Sequence, residues 1–192
     1  MTENLVISKV GIFDRKISVF SCKRPKMQEA DGRYIKKLSD WLFDGFFDEE
    51  VEALRNSQGI DRISLYNVLP VASIGCYLRY DYYNRKYYPV CYTGLLDFDI
   101  GDSNMDLERL KSDLSGIPQM AYVGFNTDCE SLFCIIPILA PCRYDEHFEE
   151  LKRRFHNQGY EIKGSKDVRH CRYISKDPAP YCNPNAETFI CL

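Results

Sequence analysis

From residue 93 onward the chain alternates short apolar runs of strand character with two stretches of helical spacing, and this order constrains the fold most. Leu95–Ile100 predicts a strand, Met105–Leu114 a helix capped by Ser103 or Asn104, and Ala121–Phe125 a second strand. Leu132–Leu139 is almost wholly apolar and predicts a central strand. Asp145–Asn157 predicts an amphipathic helix ended by Gly159, with short strands near Tyr160–Ile162 and Arg172–Ser175. Strand, helix, strand, strand, helix, strand, with the middle strands joined directly, implies an antiparallel sheet with helices packed on one face. The expected class is α+β, RRM-like or ferredoxin-like.

An N-terminal strand-helix extension precedes this unit. Leu5-Val6-Ile7 and Ile17-Ser18-Val19-Phe20 predict strands, followed by a polar loop with Pro25 and Gly32. Tyr34 to Arg55 has near-helical spacing, broken at Gly45, with Asp48-Glu49-Glu50 opening a second helix. The stretch 61–79 holds β-branched and aromatic runs around Pro70 and Gly75, and Tyr80–Tyr88 predicts a hairpin turning near Asn84-Arg85. The expectation is one domain over 1–192: extension to 90, core over 91–178, irregular tail over 179–192.

Composition sets the boundaries of function. With 45% hydrophobic and 14% aromatic residues, the 192-residue chain fills a sizeable core, which excludes global disorder. Twenty-five Lys+Arg against 28 Asp+Glu leave a net charge of −3, which excludes coating nucleic acid by bulk charge but leaves a local basic groove open. No apolar run approaches the ~20 residues of a membrane span. The first residues lack a secretory pattern, so a cytoplasmic location without a membrane partner is expected. The nine cysteines are odd in number and scattered, with no C-x-x-C pair. They read as reduced, packed thiols, with zinc the lesser alternative.

Gly94-Leu-Leu-Asp-Phe-Asp-Ile-Gly-Asp102 is the most informative segment for chemistry. Strand alternation projects Asp97 and Asp99 on one face and Leu96, Phe98 and Ile100 on the other. Two neighbouring carboxylates repel and resist burial, and a divalent cation, Mg²⁺ or Mn²⁺, would offset that while offering sites to phosphate oxygens. The alternative is a solvated acidic face. A calcium loop fits poorly, because Gly101-Asp102 inverts the required acid-then-glycine order.

Several motifs recur in a familiar order. They are Trp41-Leu-Phe-Asp-Gly45, Val51-Glu-Ala-Leu-Arg55, Leu69-Pro70, Thr93-Gly-Leu-Leu-Asp-Phe-Asp99, Tyr122-Val-Gly124, Leu132-Phe-Cys-Ile-Ile-Pro-Ile138, Arg172-Tyr-Ile-Ser-Lys-Asp-Pro178 and Asn183-Pro-Asn-Ala-Glu187. In this, nearly the whole chain resembles the VirE-type N-terminal domain of Bacteroides mobile-element and phage replication proteins. That family is similar to the archaeo-eukaryotic primase (primase-polymerase) superfamily and is often fused to a helicase-like domain. The resemblance implies metal-dependent nucleotidyl transfer, with Asp97 and Asp99 as metal-binding catalytic acids and Asp167 as the third. It also implies phosphate contacts from Asn126, Thr127, Ser131 and Arg172, and nucleotide, single-stranded nucleic acid and a helicase-like domain or protein as partners. For Asp167 a simpler surface pairing with Lys166 or Arg169 stands beside this role.

The middle motif departs from the family. Asn126-Thr-Asp-Cys-Glu-Ser131 stands where a glycine-containing phosphate loop is expected, Asp128 and Glu130 bring negative charge, and Phe133 replaces the histidine. The nucleotide pocket therefore reads as degraded, and a non-catalytic module for single-stranded nucleic acid or protein is the alternative function. The three histidines (His147, His156, His170) form no metal set by spacing, and His147 and His156 are expected on the exposed side of one helix. Lys152-Arg153-Arg154 and the hairpin Arg79–Tyr88 suit single strands by charge and stacking, against the plainer alternatives of a solvated helix face and a packing strand.

Overall fold

Among the described residues, backbone pairing gives three sheets, two of which stack as layers while the third is a two-stranded hairpin. The structure, a computed structural model, describes residues 10–21 and 33–191. The expected strand at Leu5–Ile7, the loop with Pro25 and Gly32, and Cys22 lie outside the described residues.

The N-terminal layer contains β1 (Lys16–Phe20), β2 (Arg33–Lys37), α1 (Leu38–Phe43), α2 (Asp48–Asn56), α3 (Gly59–Val68) and β3 (Val71–Ser73). Two features correct the expectation. Tyr34–Lys37 is strand rather than helix, because it pairs antiparallel with β1 (Ser18 opposite Ile35) and the helix starts only where Leu38 N–H donates to Arg15 O at 2.8 Å. The first half of 61–79 is the helix α3, which carries β-branched residues on its solvent side: Ile60 and Ile63 are exposed, while Leu65 and Tyr66 pack inward. The hairpin is as expected, β4 (Cys76–Asp81) pairing with β5 (Lys86–Tyr92) across a turn at 82–85.

The second layer follows the alternating pattern: β6 (Leu95–Ile100), α4 (Leu107–Ser115), β7 (Tyr122–Phe125), β8 (Leu132–Pro137), α5 (Tyr144–Asn157) and β9 (Ile162–Lys163). The cap of α4 is Asp106, which accepts from Arg109 N–H at 3.0 Å, rather than Ser103 or Asn104. With β11 at Tyr181–Cys182, the sheet runs β11-β7-β8-β6-β9, every pair antiparallel, with α4 and α5 as crossovers. Its edge strand β11 lies in the tail expected to be irregular. The remaining strand, β10 (Arg172–Tyr173), pairs with β3, so it joins the N-terminal sheet in the order β10-β3-β1-β2.

Helix α5 places Tyr144, Phe148, Leu151 and Phe155 on one stripe. With Leu110 and Leu114 of α4, they cover Leu96, Phe98 and Ile100 in the first core, where each fully buried large side chain stabilises by about 1.5–3 kcal/mol. The helices thus take the face of β6 opposite the acids. Leu95, Tyr122, Phe133 and Ile135 point the other way and pack on Ile17, Val19, Leu38, Trp41, Leu54 and Ala72 of the N-terminal layer in a second core. The chain returns after β6 through Gly101 at φ +86°, where a Cβ would fall 2.9 Å from Leu107 Cδ2. The eight cysteines among the described residues are free thiols, and no helix among those residues is long and apolar enough to cross a membrane.

Candidate functional site

Asp97 and Asp99 project from the same face of β6, as alternation requires, into the seam between the layers. Asp97 is 1% exposed, and Asp99 opens toward a cleft of about 210 Å³ lined by Tyr66, Asn126, Thr127, Asp128, His170 and Arg172. Because β10 belongs to the N-terminal sheet, Arg172 approaches the acids from the opposite layer. Its Nη1 lies 3.3 Å from Asp97 Oδ2, its Nη2 donates to Asp99 Oδ1, and its guanidinium carbon sits 3.5 Å from the centroid of the Phe133 ring. Phe133, directly opposite Asp99 on β8, thus supports a cation by its π-face instead of donating to a phosphate.

Two further groups close on Asp97. His170 Nε2 lies 3.4 Å from Oδ2, and Tyr144 OH donates to Oδ1 at 3.5 Å. Tyr144 reaches in past Gly75, where a Cβ would lie 2.9 Å from the ring. Burial pushes the Asp97 carboxyl up, but His170, Arg172 and Tyr144 outweigh it and hold the pKa below the ordinary value. For Asp99 burial wins, reinforced by Asp97, and its pKa rises despite Arg172. Burial lowers His170, but the charge and hydrogen bond of Asp97 reverse the balance and raise it. Two carboxylates, one guanidinium and one imidazole therefore form a single coupled cluster.

The third expected acid stays outside it. Both oxygens of Asp167 accept from Arg169 (2.9 and 3.1 Å from Nε, 2.7 Å from Nη2), the simpler pairing weighed for this residue. The position that adjoins Asp99 on β9 is a cation, Lys163. Among the described residues no three His, Cys, Asp or Glu side chains are gathered as a metal ion would need. With Arg172 between the acids and Asp167 bound elsewhere, this donor set does not fit a resident Mg²⁺ or Mn²⁺ pair.

Loop 126–131 uses its polar groups to hold itself. Asn126 Oδ1 accepts from Glu130 and Ser131 N–H, Asn126 Nδ2 donates to Ser131 Oγ at 2.7 Å, and Thr127 Oγ1 donates to Ile174 O at 2.9 Å. Asn126, Thr127 and Ser131 are thus loop-closing groups. Of the expected phosphate ligands only Arg172 is cationic, and it is committed to the acids. The loop's own acids are neutralised from α3: Arg62 meets Asp128 at 3.5 Å and Glu130 at 3.0 Å, and Tyr66 OH donates to Asp128 at 3.0 Å. Arg55 of α2 fastens the same loop by donating to the carbonyls of Asn126, Thr127 and Lys176.

Sequence reasoning missed His170, Arg62, Tyr66 and Arg55 because each reaches the site across the layers, and Tyr144 because it turns back to Asp97 from the first residue of α5. The one available signal was Arg172 two residues after His170, the spacing of one strand face, although the strand itself begins only at Arg172. His147, expected to be exposed, is buried, with Nδ1 2.7 Å from Arg143 O, whereas His156 is exposed as expected. In the basic run of α5, Arg153 and Arg154 both donate to Glu150, an acid of the same helix one turn back. A scan against protein-family models and searches of curated proteins and solved structures match nothing to this chain.

Proposed function

We propose that this chain is a non-catalytic relative of the primase-polymerase domains, of the VirE-type N-terminal branch, that binds single-stranded nucleic acid. The observation that carries the reading is the guanidinium of Arg172 bridging Asp97 and Asp99 where a shared cation would sit. The order β6-α4-β7-β8-α5-β9, with the acid pair on a central strand, supports the family side of the reading. The loop 126–131 supports the non-catalytic side, since its side chains bond one another, the Ile174 carbonyl and α3.

In this reading the acids changed their work. They hold β10, and with it the N-terminal layer, against the core sheet through one buried guanidinium, and the cleft beside them is left polar but without a metal-activated nucleophile. A cytoplasmic setting, where free thiols stay reduced, and a helicase-like domain or protein alongside belong to the same proposal.

The test combines two measurements on the full chain. Primer extension with Mg²⁺ or Mn²⁺ should show no metal-dependent incorporation in the wild type or in Asp99→Asn. Fluorescence anisotropy with a labelled oligothymidylate should show salt-sensitive binding. Metal-dependent incorporation lost in Asp99→Asn would establish the catalytic reading instead, and absence of any oligonucleotide binding would point to a protein partner.

A further inference from the structure

We propose that the β4–β5 hairpin is the arm that grips the single strand, stacking bases on its tyrosines and meeting phosphates with Arg79, Arg85 and Lys86; this deepens the function proposed above and rests on it. An isolated two-stranded ribbon is marginal in water, so an arm of this kind needs an anchor. Cys76 and Leu78 supply one by packing with Phe20 and Val71. From that anchor a ladder of rings runs outward: Phe20 to Tyr87, Tyr87 to Tyr80 and Tyr80 to Tyr82, each pair with centroids 5.1 Å apart. The ladder ends on Tyr82, 67% exposed, beside Tyr83, 94% exposed. A ring braced from behind and bare in front is a stacking platform whose ordering is complete before a base arrives.

The charges match the same ligand. Arg79 stands directly opposite Tyr88 in the hairpin register, and Lys86 opposite Asp81, so a cation and a 38% exposed ring share the outer face. Arg85 adds a cation at the tip, in a left-handed backbone (φ +52°) where a turn chosen for stability alone would carry Asn or Gly. Asp81, the acid in this stretch, is taken up by the turn: Oδ1 accepts from the N–H groups of Tyr83 (2.9 Å) and Asn84 (3.1 Å), and Oδ2 from Asn84 Nδ2. None of Arg79, Arg85 and Lys86 is closed into a short ion pair among the described residues, and Lys86 acts on Asp81 opposite it only at longer range. A chain of net charge −3 thus concentrates unpaired positive charge on one aromatic arm, a pattern suited to a polyanion with open π-faces. Duplex offers the charge without the bases, which favours the single strand.

The experiment is anisotropy with labelled oligothymidylate and with a duplex of equal length, using the full chain, Tyr82→Ala/Tyr83→Ala, Arg79→Ala/Lys86→Ala, and Arg153→Ala on α5 as the comparison. The tyrosine pair should weaken single-strand binding at least ~5-fold and up to ~100-fold. The cation pair should lower the slope of log K against log salt by about 0.7 per residue. Arg153→Ala should leave binding unchanged, and circular dichroism should show all variants folded, since every altered side chain is on the surface. If the wild type binds and the tyrosine and cation variants bind equally well, the arm assignment is overturned while the proposed function stands. If the wild type prefers duplex, single-strand stacking is overturned. If it binds no oligonucleotide, the proposed function fails and the arm with it.

Discussion

Two buried carboxylates in this protein are satisfied in opposite ways. Asp177 is saturated at short range: Oδ2 accepts from Phe125 N–H at 2.9 Å and meets Lys111 Nζ at 3.1 Å, while Oδ1 accepts from Ala179 N–H at 2.8 Å. Two of those donors are backbone groups whose positions the fold dictates. Asp97 is equally buried, yet its partners Arg172, His170 and Tyr144 are all side chains at 3.3–3.5 Å, the long edge of hydrogen bonding. The first acid is a rivet that pins the chain beyond α5 to β7. The second shares its charge with groups that can titrate or turn, beside an open cleft. A buried acid held by the backbone reads as structure, and one held at longer range by side chains beside a cleft reads as a candidate site.

The most forceful way to break this contrast is to remove the shared cation. Arg172→Ala leaves two neighbouring carboxylates without a counter-charge, and breaking a buried ion pair typically costs about 3–5 kcal/mol. Urea unfolding should show that loss. The double variant Arg172→Ala/Asp99→Asn should recover a good part of it, since the repulsion and one charge are gone together. A single-variant loss below ~1 kcal/mol would mean that the cluster does not clamp the layers. Asp177→Ala should rank next, at about 2–3 kcal/mol, because it takes the acceptor from the Phe125 and Ala179 N–H groups and leaves Lys111 with Glu108 and the Ala179 carbonyl alone. It should leave the His170 titration, followed by NMR, where it was.

The third test uses pH, with each group's sign kept separate. His170 has a raised pKa, so its contribution is fully present below ~6.5 and disappears as pH climbs through the raised value. Asp97 has a lowered pKa, so its contribution is present above ~3.8 and disappears as pH falls through the lowered value. Asp99 is pushed the other way, chiefly by burial; it favours the folded state when protonated, and that support is lost as pH rises through its raised pKa. Urea midpoints should therefore decline on the alkaline side of ~6.5 in the wild type and not in His170→Gln, at about 1.4 kcal/mol per unit of pKa difference. In Asp97→Asn the His170 resonance should titrate below the ordinary value, since burial then acts without its counter-charge. Identical pH profiles for wild type and His170→Gln would dissolve the cluster as a titrating unit.

What the sequence disclosed follows the range of the interactions. The core strands and both crossover helices were legible because their periodicity is local: Tyr144, Phe148, Leu151 and Phe155 state a helix face by spacing alone, and Asp97 and Asp99 a shared strand face. The strand β2 and the helix α3 were not. Ile35 joins an edge strand through its partner Ser18, and α3 keeps Ile60 and Ile63 in solvent, so neither pattern matches its element. The acids were legible and their neutralisation was not, because no local rule places a residue near 172 in the other sheet. A pairing decision 75 positions away, from Arg172 to Asp97, settles whether the two acids face a cleft or a guanidinium.

The smallest expected effect lies at the rim, where loop acids meet α3. Arg62 is partly exposed and Glu130 mostly so, and solvent screens such pairs, so Arg62→Ala should change stability by only about 0.5 kcal/mol. The loop should keep its shape, because Arg55 and the Asn126–Ser131 and Thr127–Ile174 bonds remain. The charge should not stay the same. Burial, with Asp128 close by, already pushes the Tyr66 hydroxyl up to about 12, and Arg62 pulls against that rise. Removing the guanidinium should move Tyr66 higher still, leaving Asp128 at the cleft with the Tyr66 hydroxyl and Glu130 at its rim without its cation. Tyr66 ring resonances followed against pH in wild type and Arg62→Ala would show it. If the cleft carries the bound strand as well as the hairpin, this variant should also weaken oligonucleotide binding at low salt, since two acids would then repel phosphate without a counter-charge. Unchanged binding would confine the proposed strand contact to the hairpin and leave the cleft with the work of holding the layers together.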